Sequence, residues 1–165
     1  MVVKRAYSVV AQQNDSSPSG VRGTRRSPPE RPRATPWRVV VMETLRERGH
    51  GLRELLLQDR FEVDVVEDAR GALSRLAQEL VPEGITPPDL LICNARMLGE
   101  PGLALLERWC HAHPWVPVIL VSAFTNPRLR ARMESLPVHL VLDQSFALED
   151  VRSAALAMTE SDVTS

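Results

Sequence analysis

Asn94 stands where a short apolar run ends. The run is Leu90-Leu91-Ile92-Cys93, entered through Pro88-Asp89 and followed by Gly99 and Gly102 ahead of Leu103-Ala104-Leu105-Leu106. Four apolar residues in a row read as a strand buried on both faces, and in an open parallel sheet the carboxyl ends of the strands are where reacting groups and ligands are held. Position 94 is therefore placed for chemistry. His111 and His113, beside Trp109 and Trp115, have the look of a ligand pair, but at a helix end capping or solvation is the expected role. Arg128, Arg130 and Arg132 make a basic stretch that could pair with Glu149, Asp150 or a partner's acids, or form a plainly solvated face. Cys93 and Cys110 read as small core residues, with no disulfide framework or metal site implied. No nucleophile–base pair or Gly-rich phosphate loop is present, so no enzymatic activity and no cofactor are expected.

The elements that must position these residues alternate regularly from Trp37 onward. Arg38–Met42 is a β-branched run and reads as the first strand. A helix follows, clearest over Leu52–Gln58, with Leu52, Leu55 and Leu56 on one face. Phe61–Glu67 alternates as a half-buried strand, and Ala69–Leu80 is helical with Ala72, Leu73, Leu76, Ala77 and Leu80 inward. Val81–Pro87 is a loop. Asp89–Cys93 makes the third strand and Gly102–Ala112 its helix. Val116–Val121 and Val138–Leu142 are the last two strands. They are followed by helices over Pro127–Ser135, where proline is acceptable in the first turn, and Ala147–Met158, opened by Glu149 and Asp150. Five strands each followed by a helix predict an α/β fold, a doubly wound parallel sheet with both faces covered.

Three blocks carry a family resemblance over about Arg38–Met158. They are Phe61-Glu62-Val63 with Glu67–Leu73, Pro88–Gly102, and Val116-Pro117-Val118-Ile119-Leu120-Val121-Ser122-Ala123. The chain resembles a bacterial response-regulator receiver (CheY-like) domain, which implies a five-stranded parallel sheet in the order 2-1-3-4-5. In that family two acidic residues after the first strand hold Mg²⁺, and an Asp after the third strand accepts phosphate. A Thr or Ser after the fourth contacts the phosphoryl group, and a Lys after the fifth pairs with it. The corresponding positions here are Glu43 and Thr44, Asn94, Ser122, and Gln144. Ser122 keeps the usual chemistry. Thr44 lacks a carboxylate for a hard cation, Asn94 lacks the acceptor oxygen, and Gln144 offers a dipole in place of a cation. Val141 occupies the switch position, where many receivers carry an aromatic ring, and Ser145 stands where the family usually has proline. The resemblance thus implies a degenerate pseudo-receiver with no metal, and phosphoryl transfer is not expected.

Charge is divided along the chain. Residues 1–38 carry eight Lys/Arg against Asp15 and Glu30, a net +6, and the remainder has twelve Arg against nineteen acids, a net −7. Residues 1–36 are basic and rich in Pro, Ser and Arg, a composition that buries too little surface to order itself, so they read as a disordered arm. Residues 37–160 read as the receiver-like domain and 161–165 as a tail, with no output domain expected. No segment approaches the roughly 18 apolar residues of a membrane span, and Arg25-Arg26 is followed by no apolar core. A cytoplasmic protein with no membrane contact is expected. The expected function is regulation by direct binding of a partner protein, in the form of inhibition or sequestration. Arg128, Arg130, Arg132, Glu149 and Asp150 form a candidate partner surface, and the fourth helix, fifth strand and fifth helix a candidate homodimer face. Two alternatives stand beside this reading: a phospho-switch using Ser122 or Thr44, and non-specific, salt-dependent nucleic-acid binding through the arm, with no reading element behind it.

Overall fold

The computed structural model describes residues 35–44, 50–122, 126–143 and 147–160. Five strands and five helices alternate: β1 (Arg38–Met42), α1 (His50–Gln58), β2 (Glu62–Val66), α2 (Ala69–Leu80), β3 (Leu90–Asn94), α3 (Ala95–Ala112), β4 (Val118–Ser122), α4 (Pro127–Glu134), β5 (Leu140–Asp143) and α5 (Leu148–Glu160). The strands form one sheet in the order β2-β1-β3-β4-β5, and every pair is parallel. This is the architecture expected from the sequence. Residues 1–34 of the 1–36 arm, and the tail over 161–165, lie outside the described residues.

Each strand feeds two cores, because successive side chains point to opposite faces. Val40, Met42, Leu91, Cys93, Val118, Leu120 and Val141 face one way, against Ala72, Leu76, Leu103, Leu106, Trp109 and Met133 of α2, α3 and α4. Val39, Val41, Leu90, Ile92, Ile119, Val121, Leu140 and Leu142 face the other, against Leu52 and Leu56 of α1 and Val151 and Ala155 of α5. The near-continuous apolar runs of β1, β3 and β4 follow from this burial on both faces. Edge strand β2 alternates, with Glu62 and Asp64 exposed. Among the described residues no helix is long and apolar enough to cross a membrane.

Helix starts are set by side-chain caps. Asp68 Oδ1 accepts from the Gly71 amide at 2.7 Å, and Asn126 Oδ1 accepts from the Leu129 amide at 2.7 Å just before Pro127. Each satisfies one of the orphan amides of a first turn. Helix α3 differs from expectation. It begins at Ala95, seven residues before Gly102, and is broken at Gly99, whose φ of 66° and ψ of −178° are non-helical. That backbone conformation is open to glycine and costly for residues with a Cβ. The glycine and Pro101 are breakers, as the sequence indicates, but a capped helical turn precedes them. The stripe on α2 is also shifted. Ala77 is exposed, and Glu79 takes the inward position beside Ala72 and Leu76.

Candidate functional site

Parallel register brings the first candidate residues together. Met42 pairs with Cys93 across β1 and β3, so Glu43, one residue past β1, stands beside Asn94, the last residue of β3. Glu43 is 4% exposed, and a carboxylate so buried needs donors. It has them. Asn94 Nδ2 donates to Glu43 Oε1 at 3.0 Å and Oε2 at 2.9 Å, and the Thr44 amide donates to Oε1 at 2.9 Å. The other end of the same carboxamide caps α3, where Asn94 Oδ1 accepts from the amides of Arg96 at 2.9 Å and Met97 at 3.1 Å. The orientation of the amide is thereby fixed. Rotated by half a turn, it would set oxygen against a carboxylate and NH₂ against two N–H donors.

Ser122 ends β4 next to this pair, since Asn94 is in register with Val121. Ser122 is fully buried, and its hydroxyl has no hydrogen-bond partner among the described residues; the same holds for the buried Thr44 Oγ1. Glu43, Thr44 and Asn94 are thus linked directly, with Ser122 adjacent on the next strand. Val141, in register with Leu120, is 2% exposed and packs in the α2–α4 core. Gln144 and Ser145 lie outside the described residues. A hard divalent cation takes several oxygen ligands, carboxylates foremost. Here both oxygens of the Glu43 carboxylate are held by N–H donors, and the Asn94 oxygen is held by two backbone amides. These residues do not fit the Mg²⁺ that members of the receiver family hold at the corresponding positions.

The candidate partner surface is partly tied up within the fold. Arg132 does not pair with Glu149 or Asp150, as the sequence allowed. It reaches Glu100 at 2.8 Å and Glu107 at 3.2 Å on α3. Glu149 pairs with Arg152, and Asp150 Oδ2 accepts from the Ala147 amide at 2.8 Å. Arg152 also grips both oxygens of Asp59, at 2.6 and 3.0 Å, holding α5 to the turn after α1. Arg128 is exposed and Arg130 half-buried.

One polar cluster escaped sequence reasoning. Glu79, 3% exposed, accepts from Trp109 Nε1 at 2.9 Å and Arg75 Nε at 2.8 Å, and Arg75 also reaches Asp64 at 2.7 Å. His113 caps α3, and its Nε2 donates to the Glu79 carbonyl at 2.9 Å, with its ring edge-on between Trp109 and Trp115. The cluster clamps α2 to α3, with the Glu79 carboxylate and the Trp109 ring buried and Asp64 at the solvent edge. The signal was available as Arg75 and Glu79 at i,i+4 on the stripe that carries Ala72 and Leu76. Cys93 and Cys110 are buried, and burial raises both thiols, Cys93 well above its ordinary value and Cys110 to about 12.

The family model described as response regulator receiver domain matches residues 39–156. The virulence transcriptional regulatory protein PhoP of Salmonella typhimurium is 28% identical over 121 residues, 73% of this chain and 51% of that protein. The chain therefore spans about half the length of the curated relatives it matches. Two solved structures share the fold. A CheY-like receiver domain protein of Methanospirillum hungatei aligns with TM-score 0.61 at 12% identity, over 79% of this chain and 100% of that one. The chemotaxis response regulator CheY4 of Vibrio cholerae aligns with TM-score 0.59 at 16% identity, over 75% and 99%.

Proposed function

This chain belongs to the response regulator receiver domain family, and from that premise we propose a phosphorylation-independent regulator that acts by binding a partner protein. Membership makes it a receiver-domain signalling regulator of the two-component type. The observation that carries the finer reading is the Asn94–Glu43 pair. The residue at the end of β3 is a carboxamide whose nitrogen is bonded to a carboxylate and whose oxygen is bonded to two amides. It has no nucleophilic oxygen to offer, and its hydrogen bonds hold the strand end in one arrangement. A receiver so fixed regulates through its surface. Stoichiometric binding that inhibits or sequesters a component of a bacterial cytoplasmic pathway is the form we favour.

The test is capture of a stoichiometric partner on the full-length protein, followed by reconstitution from the two purified components. Affinity is then measured with and without a small phosphodonor plus Mg²⁺. Equal affinity supports the reading. A phosphodonor-dependent change, or a protein recovered only as a free monomer, contradicts it. A second reading, a phospho-switch on Ser122, is favoured by that hydroxyl's lack of a partner among the described residues. Against it, Ser122 is sealed from solvent, and among the described residues no histidine or carboxylate is bonded to it to take its proton.

A further inference from the structure

We infer that the Asn94 carboxamide nitrogen occupies the place a divalent cation would take, so that this receiver is blind to Mg²⁺ and Ca²⁺, and that exchanging this one nitrogen for oxygen creates a cation site. Asn94 Nδ2 lies 3.0 and 2.9 Å from the two oxygens of the Glu43 carboxylate, the position of an electropositive group chelated by both. A third donor, the Thr44 amide, fills Oε1 further, and Glu43 is 4% exposed. A cation entering here would have to displace an amide whose other end is anchored to Arg96 and Met97, with no free carboxylate oxygen in return.

In Asn94→Asp the capping oxygen stays. The nitrogen becomes a carboxylate oxygen about 3 Å from both oxygens of Glu43, a like-charge pair that a hard cation relieves by binding both sides. Thr44, whose amide bonds the Glu43 carboxylate, also carries a buried hydroxyl without a partner among the described residues. Position 94 thus decides whether the strand ends are held together by an internal N–H donor or by an ion.

The inference deepens the reading of a phosphate-independent receiver and rests on it, but its test is separate. Thermal melts of the full-length protein are followed with MgCl₂ or CaCl₂ against NaCl at matched ionic strength, the match removing general screening. The wild type is expected to show no specific shift. Asn94→Asp is expected to melt about 4 °C higher when the cation is near ten times its dissociation constant, and the double variant Glu43→Gln/Asn94→Asp is expected to lose most of that rise. If Asn94→Asp does not fold alone, its recovery of structure on adding cation is the readout. A specific cation shift in the wild type, an Asn94→Asp protein that ignores cations or stays unfolded in their presence, or a rise kept in full by the double variant would each overturn the inference. None of these results alters the phosphodonor comparison, so the two readings fail separately.

Discussion

Exchanging the Asn94 carboxamide for a carboxylate keeps the shape of the side chain and its helix-capping oxygen, and changes only the atom that faces Glu43. Two N–H···O⁻ contacts of 2.9–3.0 Å become oxygen–oxygen contacts inside a site where Glu43 is 4% exposed. Hydrogen bonds to charged groups contribute about 1.5–3 kcal/mol, and facing carboxylates repel. Without added divalent cation, Asn94→Asp is therefore expected to lose about 1–3 kcal/mol at neutral pH in urea melts. An Asn94→Asp protein equal to or more stable than the wild type at neutral pH would contradict this. The contact joins residues 51 apart in the chain. Position 94 was legible as a strand end, but its partner required β1 and β3 to be neighbours, and order within a sheet is not written in local periodicity.

At the scale of elements, the clamp between α2 and α3 depends on a buried acid. Trp109→Phe keeps most of the ring but leaves Glu79 Oε1 without its 2.9 Å donor. A buried acceptor so stripped costs about 1–3 kcal/mol. The urea midpoint should fall with an unchanged slope, whereas a variant as stable as wild type would show that Arg75 alone suffices. The segment before β5 brings a titrating group. Burial holds the His139 imidazole below its ordinary range, and its Nδ1 accepts the Val118 amide at 3.1 Å, so the ring is neutral in the fold. The unfolded chain takes up this proton near pH 6.5 and the folded chain only at lower pH. Between the two the unfolded state binds more protons, so stability falls as pH drops through about 6.5. His139→Asn, which keeps an acceptor and does not titrate, should flatten that part of the pH–stability curve; an unchanged curve would remove His139 from it. Periodicity located all ten elements here, because β1, β3 and β4 are buried on both faces and show it as unbroken apolar runs. It failed where chemistry competed with pattern. Glu79 puts a charge on an otherwise apolar stripe, and the first turn of α3 is masked in the sequence because Gly99 and Pro101 look like the end of a loop.

For the whole molecule, two independent cores on one sheet make unfolding the route to anything inside. Cys93 and Cys110 are both buried, with thiols raised by burial, Cys110 to about 12, so at neutral pH neither presents a thiolate to a reagent. Thiol labelling should follow global unfolding in urea and be negligible below the transition. Fast labelling of either cysteine in the native protein would mean that the α3 layer opens locally. The same rigidity underlies the proposed function, in which the fold presents a surface and the strand ends stay fixed by their own hydrogen bonds. The most direct measurement is intact mass after incubation of the full-length protein with a small phosphodonor and Mg²⁺, beside a receiver known to accept phosphate. No phosphoryl adduct is expected on this chain while the control is modified. An adduct, localised to Ser122, Thr44 or any other residue, would contradict a phosphate-independent receiver.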